Sequence, residues 1–251
     1  MKNLVIALAG TAFLLLAGGV AAQDAQYAYA TYFICSPDGE SRADEIISSS
    51  YKPHYDAAVE HGDIESWSWL QHYAGGEWRR VLVVISNDVE SMLDASGALG
   101  EIISERTPEA GRAFSAICSS HVDYVWQTMD GVGSGSASDE RGDVGFTVYM
   151  QCDMNREDEA DKLMRETIGQ VFDKHTREGE LTSWGWLRQY FGGRYRRILT
   201  MGSTDHKSLM LAREAIHADF DDRKVSRAVE DMNEICHTHQ DYIWDILIQE
   251  P

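Results

Sequence analysis

Two stretches of the chain alternate apolar and polar positions with a period of two: residues 66–86, SWSWLQHYAGGEWRRVLVVIS, and residues 183–203, SWGWLRQYFGGRYRRILTMGS. Alternation around Gly75-Gly76 and Gly192-Gly193 predicts two antiparallel hairpins, each with the glycine pair as a two-residue turn. The β-branched and aromatic runs YAYATYFIC and GFTVYMQC predict a strand before each hairpin. A helix is expected between strand and hairpin, opened by Ser41 in one case and Asn155 in the other, and stopped by Gly62 and Gly179. Pro53 is expected to bend or split the first of these. Helical patterns follow at 89–117 and 206–235, interrupted near Thr107-Pro108 and Asp221-Asp222. HVDYVW and HQDYIW predict closing strands.

The two hairpins are part of a longer recurrence. Tyr32, Cys35, Asp56, Gly62, Ser86 and Asp88 return as Tyr149, Cys152, Asp173, Gly179, Ser203 and Asp205 at one constant offset. After a single inserted residue, ICSSHVDYVW at 117–126 returns as ICHTHQDYIW at 235–244. The organisation read from this is a leader at 1–22, a first repeat at 23–130, a Gly/Ser-rich linker at 131–143 and a second repeat at 144–251.

Each repeat has the order β-α-β-β-α-β, the ferredoxin-like plan of an α+β fold. In that plan the first strand lies antiparallel to the last, so the end of one neighbours the start of the other. Cys35 and Cys152 end first strands, and Cys118 and Cys236 precede last ones. The topology therefore selects Cys35–Cys118 and Cys152–Cys236 among the three possible pairings. A tandem pair of such units resembles the dimeric α+β barrel superfamily, and that resemblance implies an intrachain pseudo-dimer. It also implies a cavity between sheet and helices or between sheets. The superfamily includes small monooxygenases, haem-handling enzymes, isomerases and non-enzymatic ligand binders, so the fold leaves the activity open.

Charge and the N-terminus narrow the setting. The chain has 22 Lys+Arg against 41 Asp+Glu, a formal net charge of −19, which repels phosphate backbones and excludes nucleic acid and anionic membrane surfaces as partners. One lysine, an apolar run from Leu4 to Leu16 and a small-residue end at Val20, Ala21 and Ala22 read as a secretory leader, so the mature protein is expected in the periplasm or outside the cell. The acidic run from Asp153 to Asp161 fails the EF-hand pattern, with Asp158 where glycine is required and Met164 where a bidentate acid is required. It reads as a solvated first helical turn.

Candidate chemistry sits on the hairpins and the closing strands. With two-residue turns, one hairpin face carries Trp67, Trp69, Gln71, Tyr73, Trp78 and Arg80, and its counterpart carries Trp184, Trp186, Arg188, Tyr190, Tyr195 and Arg197. The opposite face, small and aliphatic, is expected to pack on helices. The aromatic face is then left to meet the other repeat or to line a pocket in which arginine pairs with an acidic, flat ligand. His121 with Asp123, and His239 with Asp241, stand two apart on one face, as a base and the carboxylate that orients it would. His237 and His239 alternate as metal ligands do, but Ser119 stands where His237 would recur, so neither a metal nor a cofactor is expected. Three functions follow: an exported small-molecule binder using the aromatic face, a cofactor-independent monooxygenase or isomerase using His121 or His239, or an envelope interaction module. The enzyme requires histidine face and hairpin face to reach one cavity; the module requires an exposed apolar patch and no cavity. Cleavage after Ala22 is expected to leave Gln23 as the first residue of the exported chain, and an intact mass that retains the leader would overturn this.

Overall fold

The computed structural model describes residues 26–135 and 142–250; the stretch read as a leader, 1–22, and residues 136–141 of the stretch read as a linker lie outside them. Eight strands run along the chain: β1 Tyr27–Ile34, β2 Ser66–Gly75, β3 Arg80–Ser86, β4 Ser120–Gly135, β5 Val144–Gln151, β6 Ser183–Phe191, β7 Arg197–Ser203 and β8 Thr238–Glu250. They close into one antiparallel barrel in the order β1-β3-β2-β8-β5-β7-β6-β4. Each half supplies four neighbouring strands, and the halves join edge to edge where β2 meets β8 and β4 meets β6. The closing strands are longer than HVDYVW and HQDYIW because they bridge both halves, and β4 runs through Gly135 into the stretch read as linker. The result is an α+β fold with no exposed sheet edge among the described strands.

Between the first two strands of each half lie α1 Glu40–Ile46 and α2 Lys52–His61, or α5 Glu157–Leu163 and α6 Gly169–Arg177. After the hairpins come α3 Val89–Arg106 and α4 Pro108–Ile117, or α7 His206–Asp219 and α8 Arg223–Ile235. The side chains of Asp88, Asp205 and Asp222 accept hydrogen bonds from the first free N–H groups of α3, α7 and α8. Ser41 is not a cap. It lies inside α1, which follows a short 3-10 turn at Pro37–Gly39. Pro53 occupies the first turn of α2, where its missing N–H costs nothing. The break before it is a π-helical turn, Ile47–Tyr51, and the same turn recurs at Met164–Ile168 with no proline after it. Pro53 therefore marks a break it does not cause. No helix of the described residues is long and apolar enough to cross a membrane.

Both expected disulfides are present, Cys35–Cys118 and Cys152–Cys236. The hairpin register is also as the alternation predicts, with Trp67 opposite Val84 and Gln71 opposite Arg80. The turn is not. Paired strand ends at Gln71 and Arg80, and β2 continues on β8 as far as Gly75. Gly75 has φ 121°, and a Cβ there would lie 2.2 Å from the Asp241 carbonyl oxygen; at Gly192, φ 146°, it would lie 2.5 Å from the Tyr124 ring. The glycines thus serve the seam between halves, where backbones approach too closely for a side chain.

The wider turn sends Trp78 and Tyr195 into the barrel instead of leaving them on the hairpin face. There they join Tyr32, Tyr124, Trp126, Tyr149, Tyr242 and Trp244 in one buried cluster. Trp78 stacks on Tyr32 at 4.2 Å and on Tyr242 at 5.1 Å. The indole N–H groups of Trp126 and Trp244 donate to the Tyr32 hydroxyl and to Thr147 Oγ1 at 3.1 and 2.9 Å, so neither is left unsatisfied. The barrel interior is a packed core. Replacing Trp78 by alanine is expected to cost about 3–5 kcal/mol, read as a lower denaturant midpoint with the disulfides intact; an unchanged midpoint would show that Trp78 does not anchor the interior.

Candidate functional site

The hairpin face that carries the tryptophans points outward, against the helices. Trp67 and Trp69 pack with Ala43, Ile46, Tyr55 and Leu99, and Trp184 and Trp186 with Ala160, Phe172 and Ile216. The small and aliphatic face, including Leu70, Val81, Val83, Ile198 and Leu187, faces the barrel interior. The expected orientation is therefore reversed. The reason lies in carboxylates on the helices, which recur at the same offset as the tryptophans. Trp69 donates its indole N–H to Asp44 and Trp186 to Asp161, both at 2.8 Å; Trp67 and Trp184 donate to Asp56 and Asp173 at 3.1 and 2.8 Å.

The same aspartates take the arginines. Arg80 donates through Nε and Nη2 to both Asp44 oxygens at 2.7 Å, and through Nη1 to Glu40 at 3.0 Å. Arg197 binds Asp161 at 2.7 and 2.8 Å and Glu157 at 3.1 Å. Burial pulls the Arg80 guanidinium down, but Asp44 and Glu40 outweigh it and hold the group above its ordinary value. Arg197 behaves likewise with Asp161 and Glu157. Neither arginine is available to a ligand, and Asp161, read from sequence as solvated, is buried. Arg188 donates to Gln127 at 2.8 Å across the β4–β6 seam. Tyr73 and Tyr190 are exposed, stacked on His206 at 3.9 Å and edge-on to Tyr27 at 5.4 Å. The aromatic face does not form a binding site.

A cavity lies elsewhere, between the sheet and the helices of the second half. Its volume is about 310 Å³. Met164, Phe172, Leu199, Met201 and Met232 form its buried walls, with Val148 and Met150 from β5; His239, Asp241, Arg213, His217 and Asn233 stand at its rim. Four of the nine methionines of the chain line this one space. Unbranched thioethers adapt to a flat ligand and make favourable contacts with aromatic rings. Leu199 and Met201 of β7 pair with Trp186 and Trp184 and so share the hairpin face, which thus reaches one cavity with the histidine face.

In the first half the matching positions hold Phe33, Tyr51, Tyr55 and Phe114 in place of Met150, Ile168, Phe172 and Met232. These larger rings close on one another, with Phe33 to Phe114 at 5.2 Å and Tyr51 to Phe114 at 5.8 Å. His121 therefore sits above a filled core, 5.8 Å from Phe33, with its Nε2 3.4 Å from Asp123. In the second half His239 Nε2 lies 3.7 Å from Asp241 Oδ1, and that oxygen, shielded from solvent, has no hydrogen-bond partner. Arg213 stacks at 3.8 Å over Phe146. Burial holds its guanidinium below the ordinary value, opposed by the charge of Asp241. Nothing in the sequence singled Arg213 out, because Ser96 occupies the corresponding position and the recurrence is broken there.

Two other places bring polar groups or open space together. His175, Glu178 and Glu180 cluster within metal-ligand reach. Both ring nitrogens of the buried His175 are already engaged, with Glu180 at 2.5 Å and Asp219 at 3.1 Å, so it pins α6 to α7 and offers no lone pair. A larger cleft of about 580 Å³ runs between α2 and α3; small residues such as Ala57, Ala58, Ala95 and Ala98 line it together with His54, His61, Asp94 and Arg106, and none of the paired groups described above opens into it.

No protein-family model matches the chain, and no curated protein matches it. Solved structures do. A candidate monooxygenase from Fusobacterium nucleatum superposes with TM-score 0.59 at 9% identity, covering 90% of this chain and 94% of its own. An anthrone oxidase-like protein gives TM-score 0.59 at 14% identity, covering 91% and 93%. A haem-binding protein from Thermus thermophilus gives 0.51 at 11%, covering 90% and 92%. At these identities the likeness concerns the fold, which is of the dimeric α+β barrel type. Together with the closed aromatic face and the paired arginines, it overturns the reading of the chain as an exported binder that grips an acidic ligand with Arg80 and Arg197.

Arg197→Met is expected to destabilise the protein by about 3–5 kcal/mol, because it leaves Asp161 buried without its charge partner, and the double change Arg197→Met with Asp161→Leu is expected to recover part of that loss. Chemical denaturation of the two variants reads the difference. A stable single variant would contradict the buried pair.

Proposed function

We propose that the chain is a tandem duplication of a ferredoxin-like unit in which the second half carries an enzyme site, acting as a cofactor-independent monooxygenase on a compact, enolisable or phenolic ring system. One observation carries the reading: His239 and Asp241 open onto an apolar, methionine-lined cavity whose counterpart in the first half is filled. A volume near 310 Å³ lies at the lower end of ligand pockets and suits a few fused rings. The monooxygenase and anthrone oxidase-like folds support this class by analogy. An interaction module would need no such cavity.

In this reading His239 removes a proton from the substrate. The imidazolium that results is met by Asp241 Oδ1, which lies 3.7 Å away and has no other partner to give up. The apolar walls exclude water from the anion. An electron-rich ring anion can itself reduce dioxygen: a ring CH2 becomes C=O, one oxygen atom enters the product and the other leaves as water, so electrons come from the substrate.

The haem-binding relative raises a second possibility, which the residues here do not fit. A haem iron is held by a buried axial ligand whose other atoms are fixed by a second shell. Both histidines of the cavity, His217 and His239, are exposed at its rim, and the deep walls are apolar. No step is routed through haem.

Two disulfides agree with the oxidising compartment that the leader at 1–22 suggests, and we propose that the mature enzyme works there. Anthrone offered with dissolved oxygen tests the activity, followed by oxygen uptake and product absorbance. His239→Ala is expected to lower kcat/KM about 10²–10⁴-fold, and Val148→Trp, which fills the cavity, to abolish turnover while the fold survives. Equal rates for wild type, both variants and buffer would refute the assignment.

A further inference from the structure

We infer that Arg213 receives the oxygen of the substrate as that oxygen becomes negatively charged, an anion-holding role opposite the His239–Asp241 pair. The inference rests on the assignment of the cavity as a substrate site.

In this acidic chain, four arginines at the hairpins are held by carboxylates, Arg79 and Arg80 by Glu40 and Asp44, Arg196 and Arg197 by Glu157 and Asp161, while Arg188 donates to Gln127 and Arg194 to the Tyr195 hydroxyl. Arg213 is half-buried yet has no hydrogen bond or carboxylate within ion-pair distance among the described residues. Its guanidinium lies over the face of Phe146. Stacking on a ring leaves the N–H edge of a guanidinium free to donate. A half-buried cation kept without a partner carries a desolvation cost that an arriving anion would relieve.

Position makes the role specific. Arg213 projects from α7 and Asp241 from β8, both into the same cavity rim, and Asp241 is the charge that attracts Arg213 without reaching it. A substrate lying between them would give its proton to one side and place its oxygen on the other. The first half lacks both features together: Ser96 stands where Arg213 would, and rings fill the space below it. The cation therefore goes with the cavity and not with the fold, since the same fold forms without it in the first half.

Paired probes test this without turnover. Naphthalene and 2-naphthol are titrated into wild type, Arg213→Met and Arg213→Gln, and the absorbance of bound naphtholate is followed against pH. Methionine keeps the stacking over Phe146, and glutamine keeps a neutral donor should methionine disturb folding. Naphthalene is expected to bind all three proteins within about twofold. Bound 2-naphthol is expected to ionise one to three pH units below its free value in wild type, the size of an opposite charge at close range, and to lose that shift in both variants. An equal shift in the variants overturns the role of Arg213 and leaves the cavity assignment standing. Failure of wild type to bind either probe overturns both.

Discussion

The structure depends on a three-way contact made twice around a buried arginine, Asp44 with Arg80 and Trp69, and Asp161 with Arg197 and Trp186. Each aspartate sits on the first helix of its half and accepts a fork of two N–H groups from the hairpin arginine and a third from an indole. A carboxylate has lone pairs for all three, and no donor of the set is left bare. A buried ion pair of this kind adds little net stability over apolar packing, but it tolerates no other partner arrangement. It thereby fixes which face of the hairpin looks to the helices, and every other side-chain placement follows from that choice.

Once the tryptophan and arginine face is committed outward, the alternate face must fill the barrel. Its residues are too small to do so alone. The barrel is completed by rings from elsewhere: tyrosines on β1 and β5, the tyrosine and tryptophan of the closing strands, and Trp78 and Tyr195 swung in from the wide turns. The interior is thereby solid, so space lies outside the barrel, and the cavity that His239 and Asp241 reach lies between sheet and helices. There the halves differ in a handful of side chains. Methionine and isoleucine at 150, 168 and 232 leave a cavity that phenylalanine and tyrosine at 33, 51 and 114 occupy.

That asymmetry separates the two halves. One half keeps aromatic bulk and supplies stability; the other gives up packing and gains a lined space, at a cost in dispersion and burial that the closed barrel and the two disulfides offset. Asp241 Oδ1 has no hydrogen-bond partner, as is also true of Asp123 Oδ1 in the first half, and Arg213 meets the face of Phe146.

Local alternation, glycine placement and internal recurrence were enough to determine the strands, the helix interruptions near 107 and 221, the hairpin register and the disulfide pairing, because each depends on residues close in sequence or on one topological rule. The pairing of histidine with aspartate on one strand face was legible for the same reason. The direction of the tryptophan face was not, since a period of two divides residues between faces without saying which is inside. The recurrence of Glu40 and Asp44 as Glu157 and Asp161 held the missing signal: acids at the right offset, but on a helix whose docking the sequence does not specify. The role of Gly75 and Gly192 at the seam, the inward swing of Trp78, and the opening of the cavity beside His239 were decided by tertiary structure. Each depends on how closely two distant segments approach, and that distance is set by the closure of the barrel.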